Sequence, residues 1–289
     1  MAYQFGHPEI RQVGTQGKGA MFEGKRCLVT GASSGIGYGL AERLLQRGAA
    51  EVWMCSRDPE RIKTASEKLD RIYGRVHWAA LDVRDMDRLQ AFADRMVEGG
   101  PIDFLFANAG ICYTCAFEKT PRSEFDVIME TNFYGVYHAD RAVIGHMLAQ
   151  GGGTIVNVAS MEGFLANGYH APYVASKHAV MGLTESLRYE YADRDIRFSV
   201  VCPGPVASNI WGRDPQGNVN PEIRGPQEAL TELQAADEIL AGVEENRNII
   251  LVTDTARRAW YTLHEKPESA DRWAAKYTQR NRKFLHMPE

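Results

Sequence analysis

One pair of residues in this chain has the types and spacing suited to proton transfer. Tyr173 is followed four positions later by Lys177, and no other of the twelve tyrosines has a lysine at that distance. The surrounding segment, 172–180, is typical of the start of a helix, where this spacing places both side chains on one face. An ammonium beside a phenol favours the phenolate, so we expect the pKa of Tyr173 to fall below about 10. Such a tyrosine can exchange a proton with an alcohol near neutral pH, although the same pair also occurs on ordinary solvated helix surfaces.

The rest of the chain indicates which scaffold positions this pair. Seven short apolar segments alternate with longer amphipathic stretches, at residues 26–30, 51–55, 76–81, 102–107, 154–159, 196–202 and 248–253. Most of them are apolar on both faces, as expected of strands covered by helices on both sides. This alternation predicts an α/β fold, a single doubly wound Rossmann-type domain with a seven-stranded parallel sheet and helices on both faces.

Three parts of the chain are expected to differ in structure. Residues 25–254 carry the alternating pattern and form the Rossmann-type catalytic domain. Residues 1–24 are polar and contain glycines, which predicts an N-terminal arm. Residues 255–289 contain eight Lys or Arg against four Asp or Glu, with large apolar residues at helical spacing. They predict a C-terminal helical extension of the same domain, either as a docked amphipathic helix pair or as a lid or subunit contact.

A glycine-rich loop joins the first predicted strand to the following helix. Gly31, Gly35 and Gly37 let the backbone turn tightly and approach a pyrophosphate without Cβ clashes. The N-terminus of the helix supplies free N–H groups for the phosphates, and Ser33 and Ser34 add hydroxyl donors. A glycine cluster is often only a turn. Its place between a strand and a helix nevertheless predicts a dinucleotide site.

Composition argues against several other classes of function. The chain has 289 residues and a formal net charge of −4 at pH 7, which gives no indication of a nucleic-acid surface. No stretch approaches the roughly eighteen apolar residues of a membrane span. The N-terminus lacks the pattern of a signal peptide. We therefore expect a cytoplasmic protein with a small-molecule substrate and no nucleic-acid or membrane partner.

The cysteines do not suggest a disulfide framework or a metal site. Their number is five, which is odd. Cys112 and Cys115 form a lone C-x-x-C, and a zinc site needs two further ligands at a spacing that the chain does not offer. A redox role and coincidence in a loop are the alternatives for this motif. We expect no bound metal.

The order of the motifs resembles the short-chain dehydrogenase/reductase family over about residues 24–254. The segments that carry the resemblance are 30–37, 81–83, 108–110, 131–135, 157–160 and 203–208. Ser208 stands where the family usually has threonine, which keeps a hydroxyl group. With its polar arm and basic tail, the chain is similar to bacterial hydroxysteroid dehydrogenases, including those that act on the steroid side-chain C20.

The resemblance implies a catalytic set. Tyr173 would be the acid in ketone reduction and the base in alcohol oxidation, and Ser160 would hydrogen-bond the carbonyl oxygen. Lys177 would stabilise the phenolate and bind ribose hydroxyls, while Asn132 would hold a water that links Lys177 to solvent. Taken singly, Ser160 and Asn132 are compatible with cap or turn positions. The presence of all four in family order argues against such a structural role and against a non-catalytic dinucleotide-sensing protein.

The resemblance also implies NAD(P)H as cofactor. Asp82 is expected to contact the adenine ring, residues 108–110 to lie under the nicotinamide ribose, and residues 203–208 to hold the carboxamide. The implied cofactor-binding residues are Gly31, Ser33, Ser34, Gly35, Ile36, Gly37, Ser56, Arg57, Asp82, Val83, Asn108, Ala109, Gly110, Tyr173, Lys177, Pro203, Gly204, Val206 and Ser208.

The end of the second strand bears on the choice between NADH and NADPH. An acidic residue there binds the ribose 2′-OH of NAD, whereas a nearby arginine accommodates the 2′-phosphate of NADP. Here Ser56 is followed by Arg57, which favours NADPH slightly. NADH stays open, because Ser56 could take the ribose hydroxyl and Asp58 could repel a 2′-phosphate.

The segments that face the substrate in this family are rich in large apolar residues here. The candidates for substrate contact are Tyr113, Met161, Phe164, Tyr169, Ile210 and Trp211. Glu162 and Arg213 are the nearby charged exceptions, and we expect both to be solvated. The set predicts a broad apolar slot for a bulky ketone or alcohol, most readily a steroid, although such residues also build plain core.

A ketoacyl-thioester reductase and a sugar or small-ketone reductase are the alternatives on the same scaffold. Family resemblance further implies a homodimer or homotetramer formed through the helices around 121–150 and 172–193.

Overall fold

The computed structural model describes residues 20–208, residue 210 and residues 229–284, of which residues 283 and 284 are described by their backbone alone. Its central feature is one seven-stranded sheet in the order β3-β2-β1-β4-β5-β6-β7, in which each strand pairs in parallel with its neighbours. The strands are β1 (Arg26–Thr30), β2 (Glu51–Ser56), β3 (Val76–Ala80), β4 (Phe104–Ala107), β5 (Gly153–Val158), β6 (Ile196–Pro203) and β7 (Ile249–Val252). All seven predicted strands are confirmed.

Helices cover both faces of the sheet, because the central strands are apolar on both sides. They are α1 (Gly35–Gln46), α2 (Pro59–Tyr73), α3 (Met86–Val97), α4 (Arg122–Met129), α5 (Gly135–Gln150), α6 (Ala171–Glu190), α7 (Glu232–Glu244), α8 (Asp254–Glu265) and α9 (Pro267–Phe284). Buried residues of α1, α2 and α7 form one core cluster with the sheet. Buried residues of α3, α5 and α6 form a second cluster on the opposite face. The predicted single Rossmann-type domain is therefore confirmed.

Local sequence sets the start of several helices. The Asp58 side chain accepts a hydrogen bond from the backbone of Arg61 at the start of α2, and Asp85 does the same for α3. Thr231 and Gln234 form a reciprocal capping box at α7. These bonds satisfy backbone N–H groups that a helix leaves without partners at its first turn.

The C-terminal residues form a helix pair, one of the two arrangements expected for the tail. Helices α8 and α9 pack against the short 3₁₀ turn Met161–Gly163 after β5, through a small apolar cluster that includes Met161, Leu165 and Ala270. Phe164 contacts Trp260 of α8 edge to face at 5.0 Å between ring centroids. The tail is thus part of the wall beside the carboxyl end of β5. Most of the predicted N-terminal arm, 1–24, lies outside the described residues, but Phe22 is fully buried in the main core.

Candidate active site

A cavity of about 890 Å³ opens at the carboxyl ends of the strands. It lies where the strand order reverses, because β1 pairs with β2 on one side and with β4 on the other. Ligands of open α/β sheets bind at such a switch point. One part of the lining, the glycine-loop half, comes from residues 31, 33–36, 56–58, 81–83 and 108–110. The other part, the α9 half, comes from residues 111–115 and 160–162 with Tyr277, Arg280 and Asn281 of α9.

Glycines are required in the loop between β1 and α1 because the backbone passes close to its neighbours. Gly31 has a φ of +66°, and a Cβ on it would lie 2.7 Å from Ala109 Cα. A Cβ on Gly37 would lie 2.5 Å from the carbonyl oxygen of Gly31. Any larger side chain at either position would push the loop out of place. The loop therefore lies flat against the end of β4.

The N-terminus of α1 differs from those of α2 and α3. Its N-cap residue, Ser34, makes no side-chain hydrogen bond to the first turn. The N–H groups of this turn point to the cavity end of the helix, together with the positive end of the helix dipole. Ser33 Oγ and Ser56 Oγ are 2.9 Å apart, which ties the loop to the end of β2. A helix end of this kind fits the phosphates of a dinucleotide.

Hydrogen bonds through Thr30 fix the end of β4 beside this loop. The backbone N–H groups of Asn108 and Ala109 both donate to Thr30 Oγ1 at 3.0 Å. Asn108 Nδ2 donates to the carbonyl oxygen of Thr30, also at 3.0 Å. Two of the predicted cofactor segments, 30–37 and 108–110, are thus one rigid surface.

The structure brings together nearly all the residues predicted to bind the cofactor. Those that line the cavity are Gly31, Ser33, Ser34, Gly35, Ile36, Ser56, Arg57, Asp82, Val83, Asn108, Ala109, Gly110, Tyr173, Lys177, Pro203, Gly204, Val206 and Ser208. Gly37 does not line it but lies behind the loop against Gly31. Its small size serves the packing of α1 rather than contact with a ligand.

Charged residues surround the end of β2. Arg57, Asp58 and Arg61 all line the cavity, and Asp58 is already the N-cap of α2. Arg84 donates to Asp82 through Nη2 at 2.7 Å and through its backbone N–H at 3.0 Å. Partial burial acts to raise the pKa of Asp82, but these hydrogen bonds outweigh it and hold the pKa below its usual range.

Ser160, Tyr173 and Lys177 converge between the two halves of the cavity. Ser160 follows β5, whereas Tyr173 and Lys177 lie in the first turns of α6, and all three side chains are buried. Lys177 Nζ donates to the carbonyl oxygen of Val158 at 2.9 Å and lies 5.7 Å from the centre of the Tyr173 ring. Tyr173 and Lys177 therefore lie on one face of α6, as predicted.

The predicted fall in the pKa of Tyr173 is wrong for this arrangement. Burial raises the pKa of Tyr173 well above its usual value, and the neighbouring Cys112 and Glu162 side chains add to the effect. The nearby Ser160 hydroxyl acts in the opposite direction on this pKa without outweighing them. Burial also lowers the pKa of Lys177 to about 8. Removal from water thus dominates the ammonium–phenol attraction on which the prediction depended.

Asn132 lies in a single π-helical turn, Glu130–Tyr134, between α4 and α5. Such turns are rare in helices and frequent at functional sites. Asn132 is fully buried, and its amide exchanges two hydrogen bonds with the backbone of Ile111, at 2.8 and 2.9 Å. A Cβ on Gly110 would lie 3.3 Å from Asn132 Oδ1 and 3.4 Å from Lys177 Nζ, so both groups adjoin Gly110. Asn132 therefore holds the start of the α9 half in place.

The residues predicted to contact the substrate divide into three groups. Tyr113, Met161 and Ile210 line the cavity. Phe164 and Tyr169 are not among its lining residues: Phe164 packs against Trp260, and Tyr169 uses its carbonyl oxygen to accept a bond from Cys115 N–H. Trp211 lies outside the described residues, as does the expected solvated Arg213.

Sequence reasoning missed a polar group in the α9 half of the cavity. Glu162 was expected to be solvated, but its side chain is only 12% exposed and pairs with the buried His170. His170 in turn contacts Thr114, and all three residues line the cavity. In the sequence, the one indication that Glu162 lies in the site was its position two residues after Ser160. Tyr277, Arg280 and Asn281 of α9 were also missed as lining residues, because only the docked tail brings them there.

Comparison with known proteins agrees with this geometry. A model of the short chain dehydrogenase family matches residues 25–218. The chain therefore belongs to the short-chain dehydrogenase family, whose members are NAD(P)-dependent oxidoreductases acting on CH–OH groups. It is similar to the 3-oxoacyl-[acyl-carrier-protein] reductase FabG of Thermotoga maritima, with 32% identity over 195 residues that cover 67% of this chain and 79% of the relative.

Solved structures of the family have the same fold. A short chain dehydrogenase/reductase from Burkholderia phymatum in complex with NAD has a TM-score of 0.77 and 26% identity, covering 86% of this chain and 95% of that one. A short chain dehydrogenase from Burkholderia cenocepacia in complex with NADP has a TM-score of 0.74 and 26% identity, covering 88% of this chain and 98% of that one.

The described residues offer neither a metal site nor a membrane span. Among the described residues, no group of three His, Cys, Asp or Glu side chains is arranged to hold a metal ion. None of the described helices combines the length and the apolar character needed to cross a bilayer.

Proposed function

We propose that this protein transfers hydride reversibly between NAD(P)(H) and a bulky apolar ketone or secondary alcohol, with a steroid as the leading substrate class. The observation that carries the proposal is the placement of Ser160, Tyr173 and Lys177 in one cavity. One half of that cavity fits a dinucleotide, and the other offers apolar side chains beside Ser160 and Tyr173. A ketone carbon held between the halves would lie next to both a hydride donor and a proton donor.

The side chains have distinct parts in this mechanism. When bound, the nicotinamide would supply or accept the hydride. Tyr173 would give its phenolic proton to the carbonyl oxygen during reduction, and the raised pKa of Tyr173 keeps that proton in place beforehand. Ser160 would donate a hydrogen bond to the same oxygen as negative charge develops on it.

Lys177 and Asn132 would support the proton transfer. The buried ammonium of Lys177 favours the phenolate that forms when Tyr173 gives up its proton. Lys177 would also hold ribose hydroxyls of the cofactor, since it adjoins Gly110. Asn132 would hold a water that returns a proton to Lys177 from solvent.

The lining of the α9 half supports a bulky apolar substrate. Ile111, Tyr113, Met161 and Ile210 present apolar surface there. A substrate of this kind is held by burial of area rather than by a salt bridge. The alternative is a ketoacyl-thioester reductase, which the similarity to FabG favours. A sugar or small-ketone reductase has less support, because its substrate would leave much of this half unfilled.

A substrate screen tests the proposal. Ketosteroids, an acetoacetyl thioester and small aliphatic ketones are compared by the absorbance of the reduced nicotinamide. We expect kcat/KM for at least one ketosteroid to exceed that of the small ketones by about tenfold or more, because the larger molecule buries more apolar surface. Strong turnover of the thioester with none of the steroids would defeat the steroid assignment and favour the alternative.

We further propose that NADPH is preferred over NADH. Arg57 and Arg61 place two guanidinium groups at the cavity wall, and Asp58 caps α2 and lies 3.9 Å from Arg61, which offsets its negative charge. Replacing Arg57 by Ala should raise KM for NADPH about tenfold and leave KM for NADH nearly unchanged, since only the 2′-phosphate is affected. Arg71→Ala, at an exposed position of the same helix, is the control. A lower KM for NADH than for NADPH in the unaltered protein would reverse the assignment.

We also propose a homodimer or homotetramer in the cytoplasm, assembled through the helices around 121–150 and 172–193, which are α4, α5 and α6. Exposed apolar side chains on or beside these helices support an interface: Tyr137 and Leu148 on α5, Tyr134 just before it, and Tyr189 on α6. Light scattering of the purified protein measures the assembly, and a monomeric mass at micromolar concentration would refute it.

A further inference from the structure

A hydrogen-bonded chain of Thr114, His170 and Glu162 lies beside the Ser160–Tyr173 pair, and the mechanism above does not use it. His170 Nδ1 lies 3.0 Å from one Glu162 oxygen and 3.2 Å from the other. His170 Nε2 lies 2.8 Å from Thr114 Oγ1. The side chain of His170 is 5% exposed and that of Glu162 is 12% exposed. All three residues line the cavity.

Two elements hold this chain next to the reacting oxygen. Glu162 lies in the 3₁₀ turn after β5, and its backbone N–H donates to Ser160 Oγ at 3.1 Å. His170 is the N-cap residue of α6, three positions before Tyr173, and the two rings meet edge to face at 6.3 Å between centroids. Glu162 therefore lines the cavity beside Ser160 and Tyr173, which would bind the carbonyl oxygen.

The carboxylate of Glu162 can accept more hydrogen bonds than the one that His170 offers. An ionised carboxylate only accepts, so His170 Nδ1 must carry the proton in this contact. A single N–H occupies a small part of the roughly four acceptor positions of a carboxylate. Among the described residues, no other side chain donates to Glu162, and the cavity borders it directly. A nearly buried carboxylate is costly unless donors satisfy it.

From this placement we infer that Glu162, held by His170, selects substrates that carry a hydrogen-bond donor, such as a hydroxyl or an amine, next to the reacting ketone. The same carboxylate disfavours substrates with an anionic group at that position. The inference rests on the proposed function, because it concerns the substrate of that site. It makes Glu162 a specificity-determining residue rather than part of the proton-transfer set.

A structural role is the competing explanation for the same contacts. The Glu162–His170 pair also joins the turn after β5 to the start of α6, and it could serve only to hold Tyr173 in place. Loss of such a link would weaken the binding of all ketones in parallel. Loss of a specificity contact would weaken only those with a donor, so the ratio of two affinities separates the explanations.

The experiment uses two ketones of almost equal shape. 2-Hydroxyacetophenone carries a hydroxyl where propiophenone carries a methyl group, and benzoylformate places a carboxylate there. Dissociation constants are measured by calorimetry on the full-length protein saturated with the oxidised nicotinamide, so that no hydride is transferred. For the unaltered protein we expect the hydroxyketone to bind about tenfold tighter than propiophenone, as for a hydrogen bond to a charged group. Benzoylformate should bind weakest.

Three variants are compared with the unaltered protein. Glu162→Met removes the acceptor at similar length and should bring the ratio of hydroxyketone to propiophenone affinity close to one. Glu162→Gln keeps the shape without the charge and should raise the relative affinity for benzoylformate about tenfold. Glu118→Gln, at an exposed position, is the matched control and should change neither ratio.

Several outcomes would overturn the inference. One is an unaltered protein that binds the two neutral ketones equally or binds neither. Another is an equal loss of affinity for both neutral ketones in Glu162→Met. If that variant does not fold, an unchanged relative affinity for benzoylformate in Glu162→Gln would overturn the inference instead. Because no steroid is used, a failed steroid screen with a changed affinity ratio would remove the steroid assignment and leave this inference standing.

Discussion

The two halves of the cavity are built in different ways. The glycine-loop half consists of short segments at the ends of β1, β2 and β4, held by backbone contacts such as Gly31 against Ala109. The α9 half joins the loop after β4, the turn after β5 and the last described helix. There Gly168 N–H donates to Thr278 Oγ1, and Asn281 Nδ2 donates to Asn167 Oδ1, each across more than one hundred residues of sequence.

This difference explains why one half tolerates so little change. In the glycine-loop half, a single Cβ would meet backbone atoms that cannot move without distorting the sheet. In the α9 half, side chains pack against side chains, which can be exchanged while the fold is kept. The first half suits a cofactor common to a whole family, and the second suits a substrate that differs between its members.

The largest expected effect is at Tyr173, where the halves meet. Replacing Tyr173 by Phe removes the proton donor and should lower kcat by about 10² to 10⁴, since general acid–base catalysis contributes on this scale. The dissociation constant for the cofactor should change little. Steady-state kinetics and a cofactor titration measure the two effects. Tyr261→Phe, at an exposed position of α8, is the control, and near-normal kcat in Tyr173→Phe would sink the catalytic assignment.

Gly37 tests the rigidity of the glycine-loop half. A Cβ there would lie 2.5 Å from Gly31 O and 2.6 Å from Asn108 Nδ2. Gly37→Ala should therefore cost about 1–3 kcal/mol of stability by overpacking and weaken cofactor binding at least tenfold. Thermal unfolding and a cofactor titration provide the measurements.

A glycine in open space is the control for that variant. A Cβ on Gly182 of α6 would meet no atom within 4 Å. Gly182→Ala should leave cofactor affinity unchanged and raise stability by up to about 1 kcal/mol, because alanine favours the helix. Equal behaviour of the two variants would contradict the argument that close backbone approach makes the loop intolerant.

Burial of the Lys177 ammonium in the site should lower the free energy of unfolding of the chain. Burial lowers its pKa from 10.5 to about 8 in the folded chain. Below pH 8 both folded and unfolded chains carry the proton, so the full cost of the buried charge is present. Between pH 8 and 10.5 only the unfolded chain keeps the proton, so stability rises with pH.

Replacing Lys177 by Met should therefore abolish activity and yet stabilise the chain at pH 7. We expect a gain of about 1–2 kcal/mol in the free energy of unfolding, after the loss of the hydrogen bond to Val158 O is subtracted. The gain should disappear as the pH approaches 10.5. Denaturant titrations across this range measure it, with the exposed Lys63→Met as control. A variant less stable than the parent at every pH would refute the prediction.

The smallest effect is expected in the α9 half. Thr278→Val keeps the size of the side chain but removes the bond from Gly168 N–H, which is 2.8 Å long. A lost hydrogen bond of about 1 kcal/mol should raise KM for a bulky ketone roughly fivefold and leave KM for the cofactor unchanged. Thr64→Val, exposed on α2, is the control. An equal rise in both Michaelis constants would show that the halves are not independent.

Much of the fold and half of the site were predictable from the sequence. Apolar periodicity predicted all seven strands and glycine spacing predicted the loop after β1, because these signals depend on neighbours in the chain. The place of segment 108–110 came from the family resemblance. The Tyr173–Lys177 pair was also visible, since an i, i+4 spacing is a property of one helix.

Only the tertiary structure decided what surrounds that pair. Burial raises the pKa of Tyr173, against the prediction, because the depth of a side chain depends on every element packed over it. Glu162 is nearly buried against His170 rather than solvated, and Phe164 packs on Trp260 instead of lining the cavity. The sequence by itself determined the scaffold, the glycine-rich loop after β1 and the Tyr173–Lys177 pair. The packing of distant segments determined the pKa of Tyr173, the polar groups of the α9 half and the residues that form its wall.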